Sequence, residues 1–115
     1  MCYALYMQDL AQKKCVACEG GVDPLNRVEA EVLIKQLNNW SLSDDAKLLS
    51  KEFTFKNFAE ALAFTNKVGE IAESEGHHPD MTLAWGKVGV SLTTHAIKGL
   101  SENDFIIAAK IDQMK

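Results

Sequence analysis

All three histidines of this chain lie in one stretch of it, as His77-His78-Pro79 and His95, with Glu73 before them, Trp85 between them and Asp104 just beyond. Imidazole is the side chain that gains and loses a proton near neutral pH without help from its surroundings. A chain that gathers its whole supply at one place is suited to acid–base work there, provided the fold brings the rings together. Glu73 stands one helical turn before His77, so its carboxylate can share a side with an imidazole and orient or charge-tune it. Taken singly, a histidine at a helix end is more often a surface or capping residue, and the joint spacing with His95 carries the functional reading. Asp104 has a competing explanation, because the third position of a helix starting at Ser101 selects an acid for capping alone.

The elements that must position these residues can be read upstream and around them. Asn26-Arg27-Val28-Glu29 is a capping box, with Leu25 placed to staple onto Ala30. It predicts a helix from about Arg27 to Asn38 whose stripe is Val28, Leu33 and Leu37, flanked by Val32 and Ile34. Trp40-Ser41-Leu42 begins an extended stretch, Ser43-Asp44-Asp45 reads as a turn, and Leu49, Phe53 and Phe55 then share one parity, which predicts a hairpin. From about Asn57 to Ser74 the spacing becomes helical, through Phe58, Ala61, Leu62, Thr65, Val68 and Ala72, widened by Phe64 and Ile71. Gly76 and Pro79 close that helix, and the proline holds His78 in extended geometry.

Met81–Trp85 and Val88–Thr94 flank Gly86-Lys87 as a second hairpin. Val88, Val90 and Leu92 should face one way, and Gly89, Ser91, Thr93 and His95 the more polar other. Ser101 caps a last helix whose buried side is Phe105, Ala108, Ala109 and Ile111, with Ile106 and Ile107. The expected fold is α+β: a four-stranded, mainly antiparallel sheet with three helices packed on one face, as two β-β-α units preceded by a helix. The other face and both edges stay uncovered, which predicts a homo-oligomer. Trp85 shares parity with Met81 and Leu83 and is expected in the core or an interface, while Trp40 suits either the core or the wall of a ligand site.

With 115 residues, 47% of them apolar, the chain supports one domain, read as a partly flexible N-terminal arm over 1–24 and a folded domain over 25–115. A net charge of -4 and no basic run longer than Lys13-Lys14 argue against direct nucleic-acid binding. The start, Met1-Cys2-Tyr3-Ala4-Leu5-Tyr6, reads as neither signal peptide nor membrane span, so a cytoplasmic location is expected. Cys2, Cys15 and Cys18 make a poor disulfide framework, being odd in number and crowded at one end. Cys15-x-x-Cys18 is half of a zinc pattern without a second half, and Glu19-Gly20-Gly21-Val22-Asp23-Pro24 after it is turn material where a redox pair would want a helix.

The run Glu73-x-x-x-His77-His78-Pro79, followed at fixed gaps by Trp85, His95 and Asp104, resembles the pterin-4a-carbinolamine dehydratases, the family also called dimerisation cofactor of a homeodomain transcription factor. The similarity covers roughly residues 25 to 113. Trp40 stands where the family carries a tryptophan at the start of its first strand, and Trp85 where tyrosine is common in animal members. The leader Cys15-x-x-Cys18-Glu19-Gly20-Gly21 is similar to that of some microbial members and lies outside the catalytic pattern.

The resemblance implies a lyase that removes water from a 4a-hydroxytetrahydropterin to leave quinonoid dihydropterin, recycling the cofactor of aromatic amino-acid hydroxylases. It assigns proton transfer to His77 and His95, and to His78 the holding of the ring or its leaving hydroxyl, with the base role as an alternative. It makes Glu73 the partner of an imidazole, Trp40 a plane beside the pterin, and Ser91, Thr93, Thr94 and Asp104 residues of the substrate side. Loss of water is redox-neutral, so the resemblance implies no metal and no cofactor. The implied partners are the pterin, further copies of the chain in a dimer or tetramer, and an aromatic amino-acid hydroxylase. Two other readings stay open: a protein-interaction module acting as a transcriptional coactivator or hydroxylase-support protein, and a small α+β protein binding another heterocycle, including the pterin of the molybdenum cofactor.

Overall fold

A computed structural model describes residues 10–13, 15 and 23–114 of the chain; Cys2, Cys18 and the Glu19–Val22 turn material lie outside the described residues. The capping box forms: the Asn26 side chain accepts from the Glu29 amide at 2.8 Å, and the Glu29 carboxylate accepts from the Asn26 amide at 2.9 Å. It opens α1 (Arg27–Ile34), which stops short of the expected Asn38. The amides of Gln36 and Leu37 bond only three residues back, to the Leu33 and Ile34 carbonyls, and Asn39 turns left-handed at φ 63. The buried face also differs from the expected stripe. Ala30 and Leu37 are buried with Leu33 and Ile34 partly so, a spacing of three, four and seven, while Val28 and Val32 are exposed. Those two valines lie about 200° around the helix from the Ala30 line, so they cannot follow it into the core.

Four strands, β1 (Ser41–Leu42), β2 (Leu49–Thr54), β3 (Asp80–Ala84) and β4 (Lys87–Leu92), form a sheet in the order β1-β2-β4-β3 with every neighbouring pair antiparallel. Three helices, α1, α2 (Phe58–Glu75) and α3 (Glu102–Met114), pack on one face. Val88, Val90 and Leu92 of the central β4 and Leu49 and Phe53 of β2 meet Ala61, Phe64 and Val68 of α2 and the apolar side of α3, all buried in one cluster. Lys51 shares the core-facing parity of Leu49 and Phe53. It lies over the Phe53 ring at 4.6 Å and ends in a bond of 3.2 Å to Asp112, so its stem is buried and its charge is paired. No helix among the described residues is long and apolar enough to cross a membrane.

Two departures from the expected strands bear on the site. The second hairpin turns at Trp85-Gly86, one residue earlier than Gly86-Lys87, so Trp85 sits in the turn at 68% exposure instead of in the core. Strand parity says nothing about a residue that has left the strand. β4 likewise ends at Leu92, and His95 belongs to a short 3-10 turn, His95–Ile97, rather than to the strand's polar face. The chain closes on itself there through the Thr94–Gly99 bridge, with the Thr94 amide on the Gly99 carbonyl at 2.8 Å. Only glycine fits at that closure, because a Cβ at 99 would stand 2.6 Å from the Pro24 ring.

Candidate functional site

Helix α2 ends where Gly76 turns left-handed at φ 67, and its amide and that of His77 both bond the Ala72 carbonyl. Glycine takes this conformation at no steric cost, and the turn throws His77 off the helix axis toward α3. There the His77 Nε2 meets Asp104 Oδ1 at 2.6 Å, with the imidazole 13% exposed and the carboxylate fully buried. The other Asp104 oxygen accepts from the Thr94 hydroxyl at 2.8 Å and from the Ser101 amide at 3.0 Å. Thr94 has one hydroxyl hydrogen and spends it on Asp104, so the 2.8 Å contact between Thr94 and Ser101 is donated by Ser101. Asp104 Oδ2 is thus an acceptor twice over. With Asp104 ionised, Oδ1 accepts as well, which puts the shared hydrogen on His77 Nε2 and leaves Nδ1 to exchange protons.

His78, held extended before Pro79, makes a different pair: its Nε2 meets Glu73 at 2.5 Å, with side chains 56% and 77% exposed. Glu73 thus pairs with His78 and not with His77. The Thr93 hydroxyl donates to the Lys47 carbonyl at 2.7 Å, tying the segment before His95 to the β1–β2 loop. His77, His78, Thr93, Thr94 and His95 all line one hollow of about 510 Å³, with Cys15, Glu75, Gly76, Ala96 and Asn103 completing it. That volume lies within the range of small-molecule sites, about 300–1,000 Å³. Three imidazoles and a bonded hydroxyl lining one space can deliver a proton to a bound molecule and withdraw another.

Some candidates stand elsewhere. Trp40 is buried away from the hollow, its indole donating to Asp112 Oδ1 at 2.9 Å and its ring packed edge-on against Phe53 at 6.0 Å. Ser91 lies in β4 opposite Ser50 and Asp80, on the sheet face away from the buried Val90 and Leu92, and does not line the hollow. Asp104 has no exposed surface to offer a substrate, and its reach toward the hollow is the bond to His77. Residues missed from sequence are Cys15, Glu75, Ala96 and Asn103. Glu75 carried a usable signal, an acid two residues before the histidine pair; the others reach the hollow only through tertiary packing.

Among known proteins, the family model described as pterin 4 alpha carbinolamine dehydratase matches residues 23–114. A relative named for this family from Alkaliphilus metalliredigens is 52% identical over 110 residues, covering 95% of this chain and 98% of its own length. One from Halorhodospira halophila is 50% identical over 105 residues, covering 91% and 96%. The crystal structure of a transcriptional coactivator/pterin dehydratase from Brucella melitensis superposes with a TM-score of 0.76 at 29% identity, over 80% of this chain and 98% of that one.

Proposed function

This chain belongs to the pterin 4 alpha carbinolamine dehydratase family, and from that premise we propose that it dehydrates a 4a-hydroxytetrahydropterin in the histidine hollow. The observation that carries the reading is the meeting of His77, His78 and His95 around one space, with the His77 ring held by a buried carboxylate. Hydroxide is a poor leaving group, so a protonated imidazole gives its proton to the 4a-oxygen as the C4a–O bond breaks, and water departs. The N5 lone pair forms the new double bond to C4a, and a neutral imidazole takes the N5 hydrogen. One histidine ends neutral and the other protonated, so a single proton returned through solvent resets the pair.

His77 and His95 are the two proton carriers in this reading, and His78, steadied by Glu73, holds the ring or its leaving hydroxyl. Asp104 keeps the His77 hydrogen on Nε2, the role that an orienting carboxylate plays beside a catalytic imidazole. Thr93 and Thr94 supply the substrate-side wall. The product returns to aromatic amino-acid hydroxylases in the cytoplasm. With synthetic 4a-hydroxytetrahydropterin, His77→Ala and His95→Ala should each lower turnover by about 10²-fold or more. Rates equal to the wild type in both variants would end the reading.

A second reading has an observation of its own. The Brucella melitensis protein carries the coactivator role in its name, and this chain leaves one sheet face uncovered, while Trp85 in the β3–β4 turn, Leu83 on the edge strand β3, and Phe58 and Leu62 on α2 are exposed elsewhere. Such surface supports association with further copies, as a dimer or tetramer, and with a protein partner. A pure interaction module would not accelerate dehydration at all, so the same assay separates the two.

A further inference from the structure

The hollow shared by the histidines has a wall that the proton chemistry does not use. Cys15 lines it from a segment 60 residues distant in sequence from the end of α2. That segment is tied down by charge. Glu75, its side chain 11% exposed, accepts the Cys15 amide hydrogen at 2.9 Å on one oxygen and lies 3.7 Å from the Lys110 ammonium with the other. Lys110 in turn donates to the Ala11 carbonyl at 2.8 Å, and Lys13 pairs with Glu102 at 2.7 Å. Leu10 is buried in the main core, and the Cys15 sulfur lies 3.8 Å from the carbonyl of Asn103, next to Asp104. A carboxylate and an ammonium so far removed from water persist when their remaining bonds are made. Here the backbone of the arm makes them, so arm and ion pair hold each other in place.

We infer that Leu10–Lys13 and Cys15 form a strap, pinned by the Glu75–Lys110 pair, whose Cys15 completes the histidine hollow, and that this strap sets how tightly a flat heterocycle is held. Glu75 is a positioning residue and Cys15 a wall against the ligand. The inference deepens the pterin reading and rests on it for the identity of the ligand, not for the wall itself. The helix end that aims His77 also carries the pin two residues before it, so strap and imidazole are placed by one piece of backbone.

Glu75→Ala removes both the pin and the acceptor of the Cys15 amide, whereas Glu75→Gln keeps an acceptor oxygen. In the full chain, the expected result for Glu75→Ala is a rise of about 5- to 10-fold in the Kd for 7,8-dihydropterin and in KM, with kcat within about twofold, and Glu75→Gln should recover most of the affinity. A readout free of pterin accompanies it: carbethoxylation of His77 by diethyl pyrocarbonate, mapped by mass spectrometry, should run several-fold faster in Glu75→Ala. Unchanged Kd and unchanged His77 labelling, with only a lower Tm, would reduce the strap to a structural tie and overturn the inference. Faster labelling with an unchanged Kd would overturn its claim on the ligand. If the wild type binds no pterin, the pterin reading falls and the labelling rate alone decides the strap.

Discussion

His77 and His78 are adjacent in the chain and each has its own carboxylate, yet the two pairs are physically unlike. His77 meets an Asp104 that is fully buried and already holds the Thr94 hydroxyl and the Ser101 amide. His78 meets a Glu73 that is 77% exposed on a helix surface. In the first pair the acceptor cannot turn to water, so the ring's direction is set before any ligand arrives. In the second, solvent screens the attraction and competes for both partners, and such pairs contribute about 0–1 kcal/mol. The lesson is that a carboxylate's burial decides whether it fixes an imidazole or merely neighbours it. Spacing alone, four residues for Glu73 against 27 for Asp104, points the wrong way.

The sharpest way to break this contrast is Asp104→Asn. The Thr94 hydroxyl and the Ser101 amide both require an acceptor, so the amide oxygen takes their side and the NH2 group faces His77. Nε2 must then accept, and the ring hydrogen moves to Nδ1. Turnover should fall by about 10²- to 10⁴-fold, with the tautomer change visible in ¹⁵N-imidazole spectra. Normal turnover with the hydrogen still on Nε2 would show that Asp104 does not set the tautomer. Glu73→Gln belongs at the weak end, with kcat/KM within about threefold of the wild type and Tm nearly unmoved, because the pair it loses is exposed. A loss of a hundredfold there would make Glu73 a partner equal to Asp104.

The exposed limit is set by Asp45 in the β1–β2 loop. Its carboxyl is held below the usual carboxylate range, chiefly by the Ser43 hydroxyl at 2.6 Å and then by the Lys47 amide at 3.1 Å. A lowered folded value means that the turn's contribution is present above the unfolded aspartate value of about 3.9 and is lost as pH falls through the lower folded one. The Lys47 amide resonance should titrate with a midpoint below about 3.9, and the transition should vanish in Asp45→Asn. A midpoint at the ordinary value would remove this third member of the comparison.

Much of the fold was legible because its signals are local. Asn26 with Glu29, Asn57 before α2 and Gly76 after it mark helix ends by hydrogen bonds that close within a few residues. The alternation Val88, Val90, Leu92 likewise needs only a pleat. The failures share a cause. Val28 and Val32 are as apolar as Leu33, and only the seating of Ala30 against the core decides which face turns inward. His95 reads as strand in sequence because nothing near it announces the Thr94–Gly99 closure, at which the Pro24 ring, far back in the chain, stands against Gly99. For Trp40 the sequence leaves core and ligand wall open, and the choice of core rests on Asp112, far along the chain, which accepts the indole N–H.

What the amino-acid order determined by itself was the set of imidazoles and carboxylates, the family they belong to and the succession of helices and strands, since each is written in residue type, spacing and short-range bonding. What only the tertiary structure decided was which carboxylate holds which imidazole, and that the Cys15 segment shares their hollow. Those outcomes turn on burial and on contacts between residues far apart in the chain, and the strength of a charged pair depends on the water excluded around it.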